Sequence, residues 1–280
     1  MTSTGYWADV KRSVATHVPL PVRRFVWYVT DSAYRSQYKA EMERIRRFHR
    51  SHDLAWPAIW KATGGAIAGG PFVGMKYLER PGKLNQKLLG TYEKEIVDVI
   101  EATCRKGYEK IIVVGAADGY YACGLVWRSR TSMLVAFESE LSCHDDITQL
   151  AELNGCNDRI QLRGFCDSDA LSQELGHDGS RLVICDIDGG EVTLLDPEKV
   201  SALRNCDLLV EVHDRIAPGT TETLTRRFTP SHHVRFIAQQ ERLIGDLPAP
   251  IPLDSSLALA AMDEFRGSGN DWLWLQVRRD

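Results

Sequence analysis

The stretch IIVVGAADGYYACG, Ile111–Gly124, decides the fold. Its opening run, Ile111 to Val114, reads as a strand buried on both faces, because a strand with one wet face would carry polar residues at every second position. Gly115, Ala116, Ala117 and Gly119 follow as a turn of small residues, and Tyr121–Arg128 reads as a helix. A strand that ends in such a turn lets a ligand approach the backbone, and the helix N-terminus favours its polar or anionic groups. The spacing is G-x-A-x-G, with Gly115, Ala117 and Gly119, not the G-x-G-x-x-G of dinucleotide folds. A tight strand-to-helix turn without a ligand has the same local pattern, so the surrounding chain has to decide.

Downstream, the alternation repeats. Strands are expected at Lys110–Gly115, Ser132–Glu138, Arg159–Arg163, Arg181–Asp186, Asp207–Val212, Val234–Gln239 and Trp272–Val277. Helices are expected at Tyr121–Arg128, Ser142–Asn154, Asp169–Leu175 and Pro197–Arg204. Near-continuous aliphatic strands joined by helices predict a doubly wound α/β sheet. The last two strands need not be parallel, since a single helix candidate, Ser255–Phe265, and a Pro-rich stretch join them. Upstream, residues 31–50 open on an Asp/Ser cap and place Tyr34, Tyr38, Met42, Ile45 and Phe48 on one face. The basic side of that helix, Arg44, Arg46, Arg47 and Arg50, reads as a solvated face rather than an anion site. Residues 64–74 form a glycine-rich connector, and Gly90–Lys106 reads as a second helix.

Composition excludes several classes. Among 280 residues, 34 are basic and 38 acidic, and a net charge of −4 argues against nucleic acid as the partner. The longest apolar runs fall well short of the ~20 residues of a membrane span. The apolar run Val18–Val29 is broken by Pro19, Pro21, Arg23 and Arg24, unlike a secretory signal. Seven scattered cysteines without a C-x-x-C pair fit free thiols, and hence a soluble cytoplasmic protein.

Three further segments carry chemistry. Glu138 closes the second strand, 19 residues after Gly119, where an acid can accept hydrogen bonds from ribose hydroxyls; a cap on the following helix is the plainer alternative. In RLVICDIDGGEVTLL, residues 181–195, Asp186 and Asp188 face the same way at the carboxyl end of the fourth strand, with Glu191 close behind. A solvated acidic loop has the same composition. In DLLVEVHD, residues 207–214, Glu211 and His213 share one face at the end of the fifth strand. Neighbouring fourth and fifth strands bring Asp186, Asp188, Glu211 and His213 together, with His213 as candidate proton acceptor. The same oxygens suit a divalent cation, which is less favoured because D-x-D and E-x-H spacing specifies no metal.

The order of these pieces resembles the class I S-adenosylmethionine-dependent methyltransferases, and among them the FkbM-like family. The resemblance rests on LLGTYEKEI (88–96), VVGAADGYYA (113–122), VAFESE (135–140), ICDIDGGEVTLL (184–195), LLVEVHD (208–214) and a tail with DEFR and WLWL between 263 and 275. The CDIDGGEVTLL stretch is the most specific of them. The resemblance implies a Rossmann-like seven-strand sheet, mostly parallel with a reversed last strand, over residues 88–280, and a helical extension or cap over 1–87. It implies S-adenosyl-L-methionine as donor and a small hydroxylated acceptor, a sugar or secondary metabolite, with a homodimer as one assembly.

By motif position, Gly115, Ala116, Ala117 and Gly119 line the methionine part of the donor, Glu138 the ribose, and Cys166 and Asp167 the adenine. Asp186 sits below the sulfonium, and Tyr92 reaches the donor pocket. His213 takes the acceptor's proton, with Glu211 or Asp188 fixing its tautomer or gripping a substrate hydroxyl, and Glu191 on the acceptor side. The chain departs from the pattern at Val113 and Phe165, where many relatives carry acids, at Ala117 in place of a glycine, and at Ile184 in place of a lysine. Trp56, Trp60, Phe72 and Tyr77 offer either core or flat surface for a sugar. Two rivals stay open: a nicotinamide-dependent oxidoreductase, disfavoured by the glycine spacing, and a non-catalytic donor-binding or partner protein on the same scaffold.

Overall fold

Parallel strands with apolar runs on both faces need helices above and below, and the chain supplies them in order. The structure, a computed structural model, describes residues 28, 31–81, 84–129, 133–176, 179–248, 251–266 and 270–279. Apart from Tyr28, the run Val18–Val29 lies outside the described residues, as does Ser132. The strands are β1 Lys110–Val114, β2 Met133–Phe137, β3 Ile160–Arg163, β4 Arg181–Cys185, β5 Asp207–Val212, β6 His232–Ile237 and β7 Asp271–Val277. They form one sheet in the order β3-β2-β1-β4-β5-β7-β6. Strands β1 to β5 are parallel, and β7 runs antiparallel to both β5 and β6. The reversed strand is therefore inserted beside β5, and β6 forms the edge.

Burial explains the alternation. Ile111, Val113, Leu134, Ala136, Leu182 and Ile184 enter one core, while Ile112, Val114, Val135, Phe137, Val183 and Cys185 enter the other. The first core is closed by residues of α3 Val97–Lys106, α4 Tyr120–Arg128 and α5 Leu141–Leu153, the second by residues of α6 Ser168–Leu175 and α8 Thr220–Phe228. From β3 the chain crosses back past β1 to β4, so strand order reverses between β1 and β4. Open α/β sheets bind ligands at that point, outside the carboxyl ends of the strands.

Several elements differ from expectation, each for a local reason. The first helix, α1 Ser32–Thr63, is capped by Asp31, which accepts bonds from the Ala33 and Tyr34 amides at 3.0 and 3.1 Å. It continues past Arg50 and through Pro57, because His52, Ala55, Trp56 and Ile59 form a buried face on its second half. That burial offsets the ~3 kcal/mol an interior proline costs. The helix expected over Gly90–Lys106 is split. Gly90, at φ 76, ends α2 Asn85–Leu89, and a 3-10 turn, Lys94–Ile96, leads into α3. A Cβ at Gly90 would lie 2.0 Å from the Gly69 carbonyl oxygen, so the helix cannot run through. In place of a helix over Pro197–Arg204 stand α7 Glu191–Leu194 and a 3-10 turn, Ser201–Asn205. Arg227 holds the carbonyls of Val192 and Leu195 and ends α7 there. The remaining helix, α9, spans Ser255–Met262.

The chain divides into two compact units, one ending at Ser51 and one covering His52–Asp280. Within the larger unit Trp56, Phe72 and Tyr77 are core residues, at most 6% exposed. Among the described residues no helix is long and apolar enough to cross a membrane.

Candidate active site

The turn after β1 is built for close approach. Gly115 sits at φ +83, and a Cβ there would fall 1.7 Å from the carbonyl oxygen of Asp186, so only glycine fits. Ala117 adopts φ 47, a conformation that L-residues rarely take. It is held by Glu138: one carboxylate oxygen accepts the Ala117 amide at 2.7 Å, the other the Glu140 amide at 2.8 Å. The acid that ends β2 thus ties the glycine turn to the start of α5. Each of its oxygens retains a second lone pair for a ligand.

Beside this turn opens a cleft of about 870 Å³, lined by Gly115, Ala117, Glu138, Cys166, Asp167, Asp186 and Asp188, among others. The volume lies within the usual range for small-molecule and cofactor sites. Cys166 is 7% exposed, and burial pushes its thiol up to about 12, so it contributes packing rather than charge. Asp167 caps α6 by accepting the Ala170 amide at 2.8 Å. Phe165, in the same wall, leaves 77% of its surface exposed. An aromatic ring left bare inside a cleft is a stacking surface for a planar group.

At the cleft's end the acids of β4 and β5 meet. Cys185 pairs with Val210, so the next residues, Asp186 and Glu211, lie side by side, and His213 follows on the same face. His213 is 3% exposed, and its Nδ1 lies 2.9 Å from an Oε of Glu191. Its Nε2 lies 3.6 Å from Asp186, 3.5 Å from Asp188 and 3.7 Å from Glu211. Burial alone would lower the imidazole pKa. The Glu191 bond and the carboxylates of Asp186 and Asp188 outweigh it and raise the value above the ordinary histidine range. Glu191 is fully buried, which by itself would raise its pKa. Its bonds to His213 and to the Gly189 amide, at 3.0 Å, hold it below the usual carboxylate range. Glu191, expected on the acceptor side, therefore faces inward and fixes the imidazole, the role expected of Glu211 or Asp188. Asp186 and Glu211 are both pushed up, first by burial and then by neighbouring carboxylates: Glu93 for Asp186, Asp186 for Glu211. One ligand atom each from Asp186, Glu211 and His213 lies within 4.8 Å of the others, a spacing that could hold a cation.

This sheet architecture has counterparts among solved structures. It is similar to an SAH-bound methyltransferase of Podospora anserina, at 13% identity over 65% of this chain and 77% of that one, with a TM-score of 0.43. An O-methyltransferase from Bacillus cereus in complex with SAH matches at 13% identity over 65% and 79%, TM-score 0.44. An O-methyltransferase from Streptomyces achromogenes involved in tomaymycin synthesis, in complex with SAM, matches at 12% identity over 64% and 77%, TM-score 0.42. No family model matches the chain, and no curated protein matches its sequence.

The structure ties two of the expected residues, Glu211 and Tyr92, into a set of buried charges centred on Arg266 and Arg242, which the sequence does not single out. Arg266 donates to Glu93, Glu211 and the Tyr92 hydroxyl, the last at 2.8 Å, and lies 3.0 Å from Glu264. Arg242 joins Glu264 to Glu95, which it meets at 2.9 Å. The two arginines and four glutamates of this set are each at most 13% exposed. Tyr92, expected against the donor, is partly buried and lines a small cavity with Gly115, Ala117 and Asp186, its hydroxyl on Arg266. The four non-glycine residues with positive φ among those described, Glu93, Ala117, Asp188 and Phe265, all flank this rim. Backbone strain of this kind gathers at functional sites.

Proposed function

We propose that the chain is an S-adenosylmethionine-dependent methyltransferase, FkbM-like by its CDIDGGEVTLL stretch, that methylates a hydroxyl of a sugar or secondary metabolite with His213 as general base. One observation carries this reading: Asp186 both lines the cleft beside the glycine turn and lies 3.6 Å from His213 Nε2. A donor in the cleft and a base at its end would then meet at one carboxylate.

When bound, the donor supplies an activated methyl on a sulfonium. That methyl would pass to the acceptor oxygen, the donor leaving as the neutral thioether. The chain's share is positional: it holds the acceptor oxygen in line with the C–S bond. Nε2 of His213 receives the hydroxyl proton, a step worth ~10²–10⁴-fold in rate. Glu191 on Nδ1 keeps the lone pair on Nε2 when the ring is neutral and balances the charge once the proton arrives. Asp186 and Asp188 face the same nitrogen and can orient the acceptor.

Calorimetry with S-adenosylmethionine set against NADH tests the donor class, and a product heavier by CH₂ from a panel of sugars and hydroxylated metabolites tests the reaction. Donor binding without turnover on any acceptor would favour the non-catalytic alternative. D-x-D and E-x-H spacing specifies no metal, so a cation is the less favoured agent, although one Glu211 oxygen faces His213 while Arg266 and Asn270 take the other. Turnover is accordingly expected to survive a chelator; loss on chelation with recovery on adding Mg²⁺ would reassign Asp186, Glu211 and His213 as ligands.

A further inference from the structure

The charge around the cleft has one sign. Glu138, Glu140, Asp167, Asp186 and Asp188 border it, and none of its described lining residues is a lysine or an arginine. Glu138 and Asp167 are engaged by backbone amides. Asp186 and Asp188 have no such partner role. Their carboxylates stand 3.6 and 3.5 Å from Nε2 of His213, and among the described residues neither has a lysine or arginine within ion-pair distance. The cations nearby are engaged elsewhere: Arg266 with Glu93, Glu211 and Glu264, and Lys87 with Asp118. His213 is answered by Glu191 on the other side of its ring, at 2.9 Å.

A second observation points to what fills this end. His213 is 3% exposed, and its Nδ1 is bonded, but Nε2 makes no hydrogen bond to a described residue. A nearly buried ring nitrogen aimed between two carboxylates, with no bond of its own, marks the position of a ligand's polar atom. Burial and the neighbouring Glu93 hold the Asp186 carboxyl up at about 6, as expected of an acid short of positive charge. Any group bonded to Nε2 lies beside both acids, and so does a substituent on the adjoining carbon of the same ligand.

We propose that the acceptor is a cation: an amino alcohol whose hydroxyl sits on His213 Nε2 while the ammonium on the adjoining carbon sits on Asp186 and Asp188. This rests on the methyltransferase reading of the same site and narrows its acceptor to amine-bearing compounds, amino sugars among them. An ammonium has three donor hydrogens, enough for both carboxylates, and charge-assisted bonds of this kind are the strong ones. Its positive charge also favours the ionised form of the hydroxyl beside it, which eases the proton's passage to Nε2. Held as an ammonium, the nitrogen has no lone pair, so the methyl goes to oxygen. A phosphate in the same place would face two carboxylates with no free cation to pair with, an arrangement that like charges make costly.

Compounds matched on one ring test this: trans-2-aminocyclohexanol, trans-cyclohexane-1,2-diol and the monophosphate of that diol, with glucosamine and glucose as a sugar pair. Affinities are read by ligand-observed NMR on protein saturated with S-adenosylhomocysteine, and methyl transfer from S-adenosylmethionine by mass spectrometry. In each set the amine is expected to bind at least about tenfold more tightly than its neutral partner, as a charged hydrogen bond predicts, and the phosphate more weakly than the diol. The methyl is expected on oxygen. Asp188 is 87% exposed, so Asp188→Asn is expected to fold, and in it the ratio of amine to neutral affinity should fall toward one. The proposal is overturned by equal affinities of the wild type for amine and neutral forms, by a phosphate bound as well as the amine, or by an N-methyl product. A ratio unmoved in Asp188→Asn overturns it too, as does binding of none of the compounds. Preferred binding of the amines without methyl transfer to any of them would instead overturn the transferase reading and leave the amine as the ligand of this end. Failure of S-adenosylhomocysteine to bind at all would overturn the donor reading.

Discussion

His213 Nδ1 and the carboxylate of Glu191 are bonded at 2.9 Å, with Glu191 out of solvent and His213 nearly so. The bond leaves Nε2 as the only ring nitrogen free to face the rim. It also favours the imidazolium, so the base form appears only above the ordinary ~6.5 of histidine. Turnover should therefore rise with pH through a value above that point. His213→Ala is expected to lose ~10²–10⁴-fold in kcat with donor affinity unchanged. Glu191→Gln removes the charge that stabilises the protonated ring, so the rising limb should move to lower pH. A limb that stays in place would mean that another group titrates.

Glu138 makes a separate prediction because both its oxygens are spent on backbone amides of two different segments. Glutamine offers one acceptor, and its amide nitrogen would point a hydrogen at the other N–H. Charged hydrogen bonds contribute ~1.5–3 kcal/mol each. Glu138→Gln should weaken S-adenosylhomocysteine about tenfold or more through the turn alone, and lower the melting temperature as well. An unchanged melting temperature would show that the turn stands without its tether.

How much of this was legible depended on whether the signal was local. The strands β1, β4 and β5 could be read because both their faces are aliphatic, and parallel register then places Asp186 beside Glu211 and His213 without further information. The inward turn of Glu191 could not be read, since it depends on the conformations of Asp188 at φ 53 and Gly189 at φ 105. Nor could the Arg266 network. Glu211 is marked by its strand, but Arg266 is a single charge outside any periodic segment and 173 residues from Glu93, so nothing local pairs them. The reversed β7 makes the connection, by carrying Arg266 at its entrance to the end of β5.

Gly115 and Gly107 both have positive φ, at +83 and +65, but only Gly115 lacks room for a side chain. At Gly107 nothing lies within 4 Å of an added Cβ. Gly107→Ala should cost ~1 kcal/mol, the backbone penalty alone. Gly115→Ala must also push β1 from the Asp186 carbonyl and should exceed that cost by more than ~2 kcal/mol in chemical denaturation. Equal costs for the two substitutions would mean that the β1–β4 crevice is looser than its geometry implies.

Arg266 is the cation that lets Glu93, Glu211 and Glu264 share one buried space. Arg266→Met keeps most of the apolar stem and deletes the charge, leaving three carboxylates with Arg242 alone for company. Removing one partner from a buried ion pair typically costs ~3–5 kcal/mol. The pH dependence follows from the acids left behind. Burial already holds Glu264 up at about 7 and keeps Glu211 raised, and loss of the guanidinium pushes both further in the same direction. A carboxyl whose pKa is higher in the folded state than in the unfolded one binds protons preferentially when folded, so falling pH stabilises the variant. The gap in melting temperature between wild type and Arg266→Met should therefore narrow from pH ~8 to pH ~5.5. Adding Glu264→Gln should close part of the gap at pH ~8 and much less of it at pH ~5.5, where that acid is already neutral. A gap that is the same at both pH values would mean that Arg266 acts through packing and not as the counter-ion of these acids.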